Sequence, residues 1–121
     1  MNKRKASTVL IVDDEPEVTQ MLVQYLDRQG YHAFGITGGA DVVHWIVNHH
    51  CDAVVLDLLL SDANGLSLIA PIRKASPQTR VIVMSGMGDP DVEATALQEG
   101  ASHYFHKPLD FSSLSEALTH P

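Results

Sequence analysis

Three carboxylates, a hydroxyl and an ammonium in this 121-residue chain stand where they could together handle a phosphate. Asp13 and Asp14 follow the apolar run Thr8 to Val12, and Asp57 follows the run Ala53 to Leu56. Brought to one place, three carboxylates repel one another, and at least one pKa should rise. A hard divalent cation relieves that repulsion. Magnesium suits best, because it is commonly held by one or two carboxylates plus waters and a phosphate. Ser85 ends a further apolar run, and Gly86 behind it would let a ligand approach the backbone closely. Lys107 offers a compact positive charge for phosphate oxygens. Pro108 after it invites a cis peptide bond that would aim the lysine inward. An aspartate can serve as a nucleophile and form an acyl phosphate. Phosphoryl transfer otherwise needs mostly positioning and charge neutralisation. Taken singly, an Asp-Asp pair is more often a helix cap than a metal site, and Lys-Pro says almost nothing. All of them falling at the ends of apolar runs, in this order, is far more specific.

That placement depends on the elements around them. Thr8 to Val12 is β-branched and apolar, as expected of a strand buried on both faces. Pro16 suits the first turn of a helix, with Asp14, Glu15 and Glu17 favourable near its positive end. Val18, Met21, Leu22, Tyr25 and Leu26 then recur at helical spacing, and Gly30 stops the helix. The unit repeats. Tyr31 to Ile36 reads as a strand, and Ala40 to His49 as a helix with Val43, Ile46 and Val47 inward. Ala53 to Leu56 is a third strand, and Leu66 to Ala75 a helix that Pro71 should kink or weaken. Val81 to Met84 is a fourth strand. Asp89 caps a helix with Pro90 in its first turn, closing at Gly100. Ser102 to Phe105 is a fifth strand, and Asp110 caps a last helix carrying Phe111, Leu114 and Leu118.

Strict alternation of strands and helices implies a parallel sheet covered on both faces. Five units fit an α/β, doubly wound fold with five helices and strand order 2-1-3-4-5. In that order the first and third strands are neighbours, and ligands bind in the crevice at their carboxyl ends. Asp13, Asp14 and Asp57 all fall there.

Composition narrows the function classes. The length suffices for a core without disulfides, and 45% apolar with 19% charged residues is ordinary for a soluble domain. Cys51 is the lone cysteine, so no internal disulfide can form, which fits a reducing cytoplasm. A net charge of -7 argues against direct nucleic-acid binding. Lys3-Arg4-Lys5 reads as part of a solvated tail over residues 1–7. No apolar run approaches the ~20 residues that would span a membrane. Residues 1–121 are therefore expected to form one cytoplasmic domain.

Val-Asp-Asp-Glu-Pro at 12 to 16, Val-Leu-Asp-Leu at 55 to 58, Gly65, Met-Ser-Gly at 84 to 86 and Lys-Pro at 107 to 108 form a further pattern. Over essentially the whole chain it resembles the receiver domains of two-component response regulators, whose fold is flavodoxin-like. The resemblance implies that Asp57 takes a phosphoryl group from the phosphohistidine of a sensor histidine kinase or histidine phosphotransfer protein. It implies that Asp13, Asp14, Asp57 and the backbone carbonyl of Leu59 hold Mg2+, while Ser85 and Lys107 bind phosphoryl oxygens. It also makes Tyr104, three residues before Lys107, a switch aromatic that turns as Ser85 is drawn inward. The surface of the fourth helix, fifth strand and fifth helix would then change for a downstream effector or fused output domain. A homodimer stays open.

The chain departs from the family pattern at Ser61, where many relatives carry proline. Seven histidines invite a metal reading, but His44, His49 and His50 lack the i, i+4 pairing of two ligands on one helical face. His106, beside Lys107, could add some pH sensitivity. Two other functions compete. A pseudo-receiver would usually lack one of the acids, Ser85 or Lys107. A phosphatase of the haloacid dehalogenase type wants an aspartate at position 59, and leucine stands there. Turnover of an external substrate is therefore not expected. The resemblance implies that the positions two beyond Asp57 and Ser85 influence how readily water attacks the acyl phosphate. Here they are Leu59 and Met87, both apolar and unable to orient a water. We expect slow self-dephosphorylation, read as loss of phosphate with time, and faster loss when either is made polar. Rapid loss unaffected by such changes would refute this.

Overall fold

The computed structural model describes residues 7–86 and 88–119. The basic run at 3 to 5, Met87 and the final two residues lie outside them. Elements follow in strict alternation: β1 (Thr8–Val12), α1 (Pro16–Arg28), β2 (His32–Ile36), α2 (Val42–His49), β3 (Ala53–Asp57), α3 (Leu66–Ala75), β4 (Arg80–Ser85), α4 (Pro90–Glu99), β5 (His103–His106) and α5 (Phe111–Thr119). The named strands pair in parallel, in the expected order β2-β1-β3-β4-β5.

Side-chain alternation explains why the central strands read as unbroken apolar runs. Val9 and Ile11 of β1, Ala53 and Val55 of β3, and Ile82 and Met84 of β4 pack with Leu22, Leu26, Leu114 and Leu118 of α1 and α5. Leu10, Val12, Val54, Leu56, Val81 and Val83 point the other way, onto Val42, Ile46, Ile69, Ile72 and Ala96 of α2, α3 and α4. With a period of two and a helix layer on each face, every position must be apolar.

Helix ends follow local chemistry. Pro16 and Pro90 occupy first turns, and the Asp89 side chain accepts from the Asp91 amide at 2.9 Å. Asp110 takes bonds from the amide and hydroxyl of Ser112 and from the hydroxyl of Ser113. Gly100 closes α4 in the left-handed region at φ 117°.

Several expectations need correction. The second strand begins at His32 and the fifth spans His103–His106, each one residue later than read. The second helix begins at Val42 because the Gly39 and Ala40 amides bond the Asp62 carboxylate, which holds this stretch in a loop. Val47 is 51% exposed, since the buried stripe of α2 runs through Val42 and Ile46 with Val43 and Trp45 beside it. Met21 is 55% exposed, at the margin of a stripe centred on Leu22 and Leu26. Pro71 stands inside α3, which runs from Leu66 to Ala75. It lies on the exposed side of a helix anchored by buried Ile69 and Ile72.

The left-handed end of α2 at His50 has no signature in the residues around it. His50 sits at φ 50°, where a β-carbon crowds the backbone. Replacing exposed His50 with glycine should therefore stabilise the fold by ~1 kcal/mol, measured as a raised denaturation midpoint. A fall in stability would show that the side chain contributes more than the strain costs.

Candidate functional site

Register alone brings the chemistry into one row. Val12 pairs with Leu56, so Asp13 and Asp57 emerge side by side from β1 and β3. Asp57 is opposite Met84 and Ser85 is opposite His106, while the Lys107 amide donates to the Ser85 carbonyl at 2.9 Å. The strands therefore deliver Asp13, Asp57, Ser85 and Lys107 to one edge of the sheet.

Within that row Lys107 is the hub. Its Nζ donates to Asp13 Oδ2 at 2.9 Å and to Asp57 Oδ2 at 3.0 Å. The remaining oxygens take backbone amides: Asp13 Oδ1 from Glu15 at 2.9 Å and Asp57 Oδ1 from Leu59 at 3.0 Å. Asp13 is fully buried, and Asp57 is 3% exposed. Burial pushes the Asp57 carboxyl above its ordinary range, although the Leu59 amide and the Lys107 ammonium pull the other way. For Lys107, burial favours the neutral amine, but the carboxylates of Asp13 and Asp57 together outweigh it and hold the ammonium. The rise on Asp57 comes chiefly from burial, and repulsion from Asp13, the cause expected from the sequence, adds only the smallest part. The Lys107-Pro108 bond is cis, as expected.

Asp14 is partly buried, and one oxygen each from Asp13, Asp14 and Asp57 lies within 4.8 Å of the others. Three carboxylates against one ammonium leave two negative charges, which one divalent cation would cancel. All donors are hard oxygens, the ligand type magnesium and calcium require. The residues present fit such an ion.

Ser85 is fully buried at the end of β4. Leu59 leaves its side chain exposed while its amide holds Asp57. Tyr104 is partly buried against the face covered by α2, α3 and α4, and its ring meets His106 edge-on at 5.4 Å. His106 Nε2 lies 3.9 Å from a Glu93 carboxylate oxygen. His44 and His49 engage their own helix, through Asn48 and the Trp45 carbonyl.

Three positions that shape the crevice were not recognised for what they do. A β-carbon on Gly65 would stand 2.6 Å from Leu58 Cα and 2.7 Å from the Asp57 carbonyl oxygen, so the backbone behind Asp57 can pass only a glycine. Thr19, buried on α1, donates its hydroxyl to the Asp13 carbonyl at 3.1 Å. Asp62 bonds the loop between β2 and α2. The spacing of Gly65 was visible in the sequence, but a loop aspartate and a helical threonine have no distinctive signal.

The family model for the response regulator receiver domain matches residues 9–119. The chain belongs to the response-regulator receiver family. It is 36% identical over 110 residues to the DNA-binding transcriptional regulator NtrC of Azospirillum brasilense, covering 90% of this chain and 23% of that protein. It is 33% identical over 111 residues to the chemotaxis protein CheY of Thermotoga maritima, covering 91% of this chain and 92% of that protein. A solved response regulator from Burkholderia pseudomallei, with a phosphorylated aspartic acid, calcium ion and citrate, superimposes with a TM-score of 0.87 at 28% identity. That match covers 93% of this chain and 66% of the other. This receiver chain spans only 23% and 48% of the first two curated relatives it matches. Among the described residues, no helix of this receiver is long and apolar enough to cross a membrane.

Burial of Asp57 has a consequence for stability. A carboxyl with a raised folded-state pKa contributes stability below its ordinary pKa and loses it as pH rises through the folded value. Lys107 gains from the pair, but in Asp57→Asn it keeps Asp13 as a partner. At neutral pH, Asp57→Asn should therefore melt a few degrees above the unchanged protein. The gap should shrink on acidification as Asp57 itself becomes neutral. A lower melting temperature for the variant at pH 7 would overturn this.

Proposed function

We propose that this chain is a phosphorylation-dependent signalling switch, one receiver domain over residues 1–121, with Asp57 as its phosphoacceptor. The observation that carries the reading is the Lys107 ammonium bridging Asp13 and Asp57, with Asp14 close enough to share a cation. The phosphorylated aspartic acid and calcium ion of the Burkholderia pseudomallei relative support it.

In this mechanism a carboxylate oxygen of Asp57 attacks the phosphorus of a phosphohistidine on a sensor histidine kinase or histidine phosphotransfer protein. The O–P bond forms as the P–N bond breaks, and the departing imidazole takes up a proton. Asp13, Asp14, Asp57 and the Leu59 carbonyl would hold Mg2+, which supplies positive charge to the oxygens of the transferring group. Lys107 neutralises a further phosphoryl oxygen, and the Ser85 hydroxyl donates a hydrogen bond to another. The Leu59 amide keeps the nucleophile oriented. Burial, which raises the proton affinity of Asp57, also strips water from it.

The product is an acyl phosphate in a crevice where Ser85 is drawn towards the new oxygens. Tyr104, at the level of Val83 on β4, turns into the space left, and the surface of α4, β5 and α5 changes. That surface controls a downstream effector or a fused output domain, consistent with the greater length of relatives such as the NtrC regulator. The domain acts in the cytoplasm and assists its own phosphorylation and dephosphorylation without turning over an external substrate.

Acetyl phosphate, with and without magnesium, tests the chemistry by intact mass. The unchanged protein should gain one phosphoryl group only with magnesium, and Asp57→Ala should gain none. Lys107→Ala should be phosphorylated far more slowly, by about 100-fold if it stabilises developing charge as oxyanion donors do. A folded protein that never gains mass would make this a pseudo-receiver that binds partners without phosphorylation.

A further inference from the structure

Asp62 makes bonds that the phosphoryl chemistry does not use. Its Oδ1 accepts from the Gly39 amide at 2.8 Å, and its Oδ2 accepts from the Gly39 and Ala40 amides, each at 3.1 Å. The carboxylate thereby joins the tip of the β3–α3 loop to the β2–α2 loop. At its base the β3–α3 loop is closed by the Gly65 amide donating to the Leu58 carbonyl at 2.9 Å, and by a bridge between Leu59 and Asn64. Leu59 therefore lies in a short span tied at both ends. The β2–α2 side is anchored too, because the Asp13 amide donates to the Ile36 carbonyl at 3.3 Å. A closed circuit results. It runs from Asp13 through Ile36 and Gly39 to Asp62, then through Leu59 back to Asp57.

The glycine pair at 38 and 39 fits this clamp. A β-carbon on Gly38 would stand 3.0 Å from Asp62 Oδ2, and one on Gly39 would stand 2.9 Å from Ala63 Cβ. Side chains there would push the two loops apart. Ser61 precedes Asp62 in place of a proline that would stiffen the loop from within. The Gly39 amide also holds the Asp62 carboxyl below its ordinary range, so the clamp is ionised at neutral pH.

We propose that Asp62 is a positioning residue, whose carboxylate pins the β3–α3 loop to the β2–α2 loop and so holds the Leu59 carbonyl ready for a divalent cation. The proposal rests on the metal-assisted reading above. It differs from a simple electrostatic role, in which any negative charge near the crevice would attract a cation. Asn at 62 separates the two, because it removes the charge and keeps a carbonyl oxygen for the Gly39 amide.

Titration with magnesium chloride alone, followed by amide resonances in two-dimensional NMR at 0.15 M salt, reads both cation affinity and the clamp. Asp62→Ala should bind magnesium about tenfold more weakly, the lower end for groups that orient metal ligands. Its Gly39 and Ala40 amides, and those of the β3–α3 loop from Leu59 to Asn64, should shift and exchange with solvent faster, with resonances of the strands and helices unchanged. Asp62→Asn should recover most of the lost affinity. Equal weakening in both variants would reduce Asp62 to a charge effect and overturn the clamp. So would unchanged affinity in Asp62→Ala when the unchanged protein binds magnesium. If the unchanged protein binds no magnesium, the phosphoacceptor reading falls first and the clamp falls with it.

Discussion

A single ammonium between two buried carboxylates governs this crevice. Asp13 and Asp57 have almost no contact with solvent, and removing a carboxylate from water costs several kcal/mol even after the protein relaxes. Lys107 offsets part of that cost by bonding both, and the Glu15 and Leu59 amides offset more. The compensation is unequal. Asp57 still favours its proton more than a free aspartate does, while Lys107 is held firmly charged. With Asp14 added, two negative charges remain uncancelled. Apolar side chains in such a place are often as stabilising or more so, and on the proposed reading the excess charge is there for binding.

Such an arrangement needs a rigid support. Each of β1, β3 and β4 contributes apolar side chains to both helix layers, and none of the three can slip without moving both cores. Their register fixes the level at which the acids and Ser85 emerge. Gly65 then allows the following loop to return against the Asp57 carbonyl, and Thr19 ties α1 to the backbone of Asp13. Strand ends supply the residues, and these close backbone contacts supply the geometry.

That division explains what could be read from the chain beforehand. The order of strands and the convergence of Asp13, Asp14, Asp57, Ser85 and Lys107 followed from alternation and from apolar runs with one meaning each. Element ends were less legible. Val47 reads as core because it stands four residues after Val43 and beside Ile46, yet this short helix buries only the stripe through Val42 and Ile46. Ala40 looked helical because nothing nearby announces that Asp62, 22 residues further on, occupies its amide. Gly65 showed its position but not its reason, since a clash with Leu58 exists only once the loop has closed. Bonds between loops distant in sequence leave no periodic trace.

The crevice is also asymmetric in a way that suits a switch. Its β1–β3 side is walled by strands with no exposed residue and is closed by the circuit through Ile36 and Asp62. The other side depends on β5, a four-residue edge strand that is only partly buried, joined to the site through Lys107 and Ser85. Elements that move are drawn from the less stable parts of a fold. A new phosphoryl group on Asp57 would, on the proposed reading, meet buried strands on one side and a partly exposed edge strand on the other. On the proposed reading, displacement therefore travels through Ser85 and Tyr104 towards α4, β5 and α5. On that reading the partly exposed β5 edge, tied to the site through Lys107 and Ser85, sets the direction of signalling, and the charge at Asp57 supplies the force.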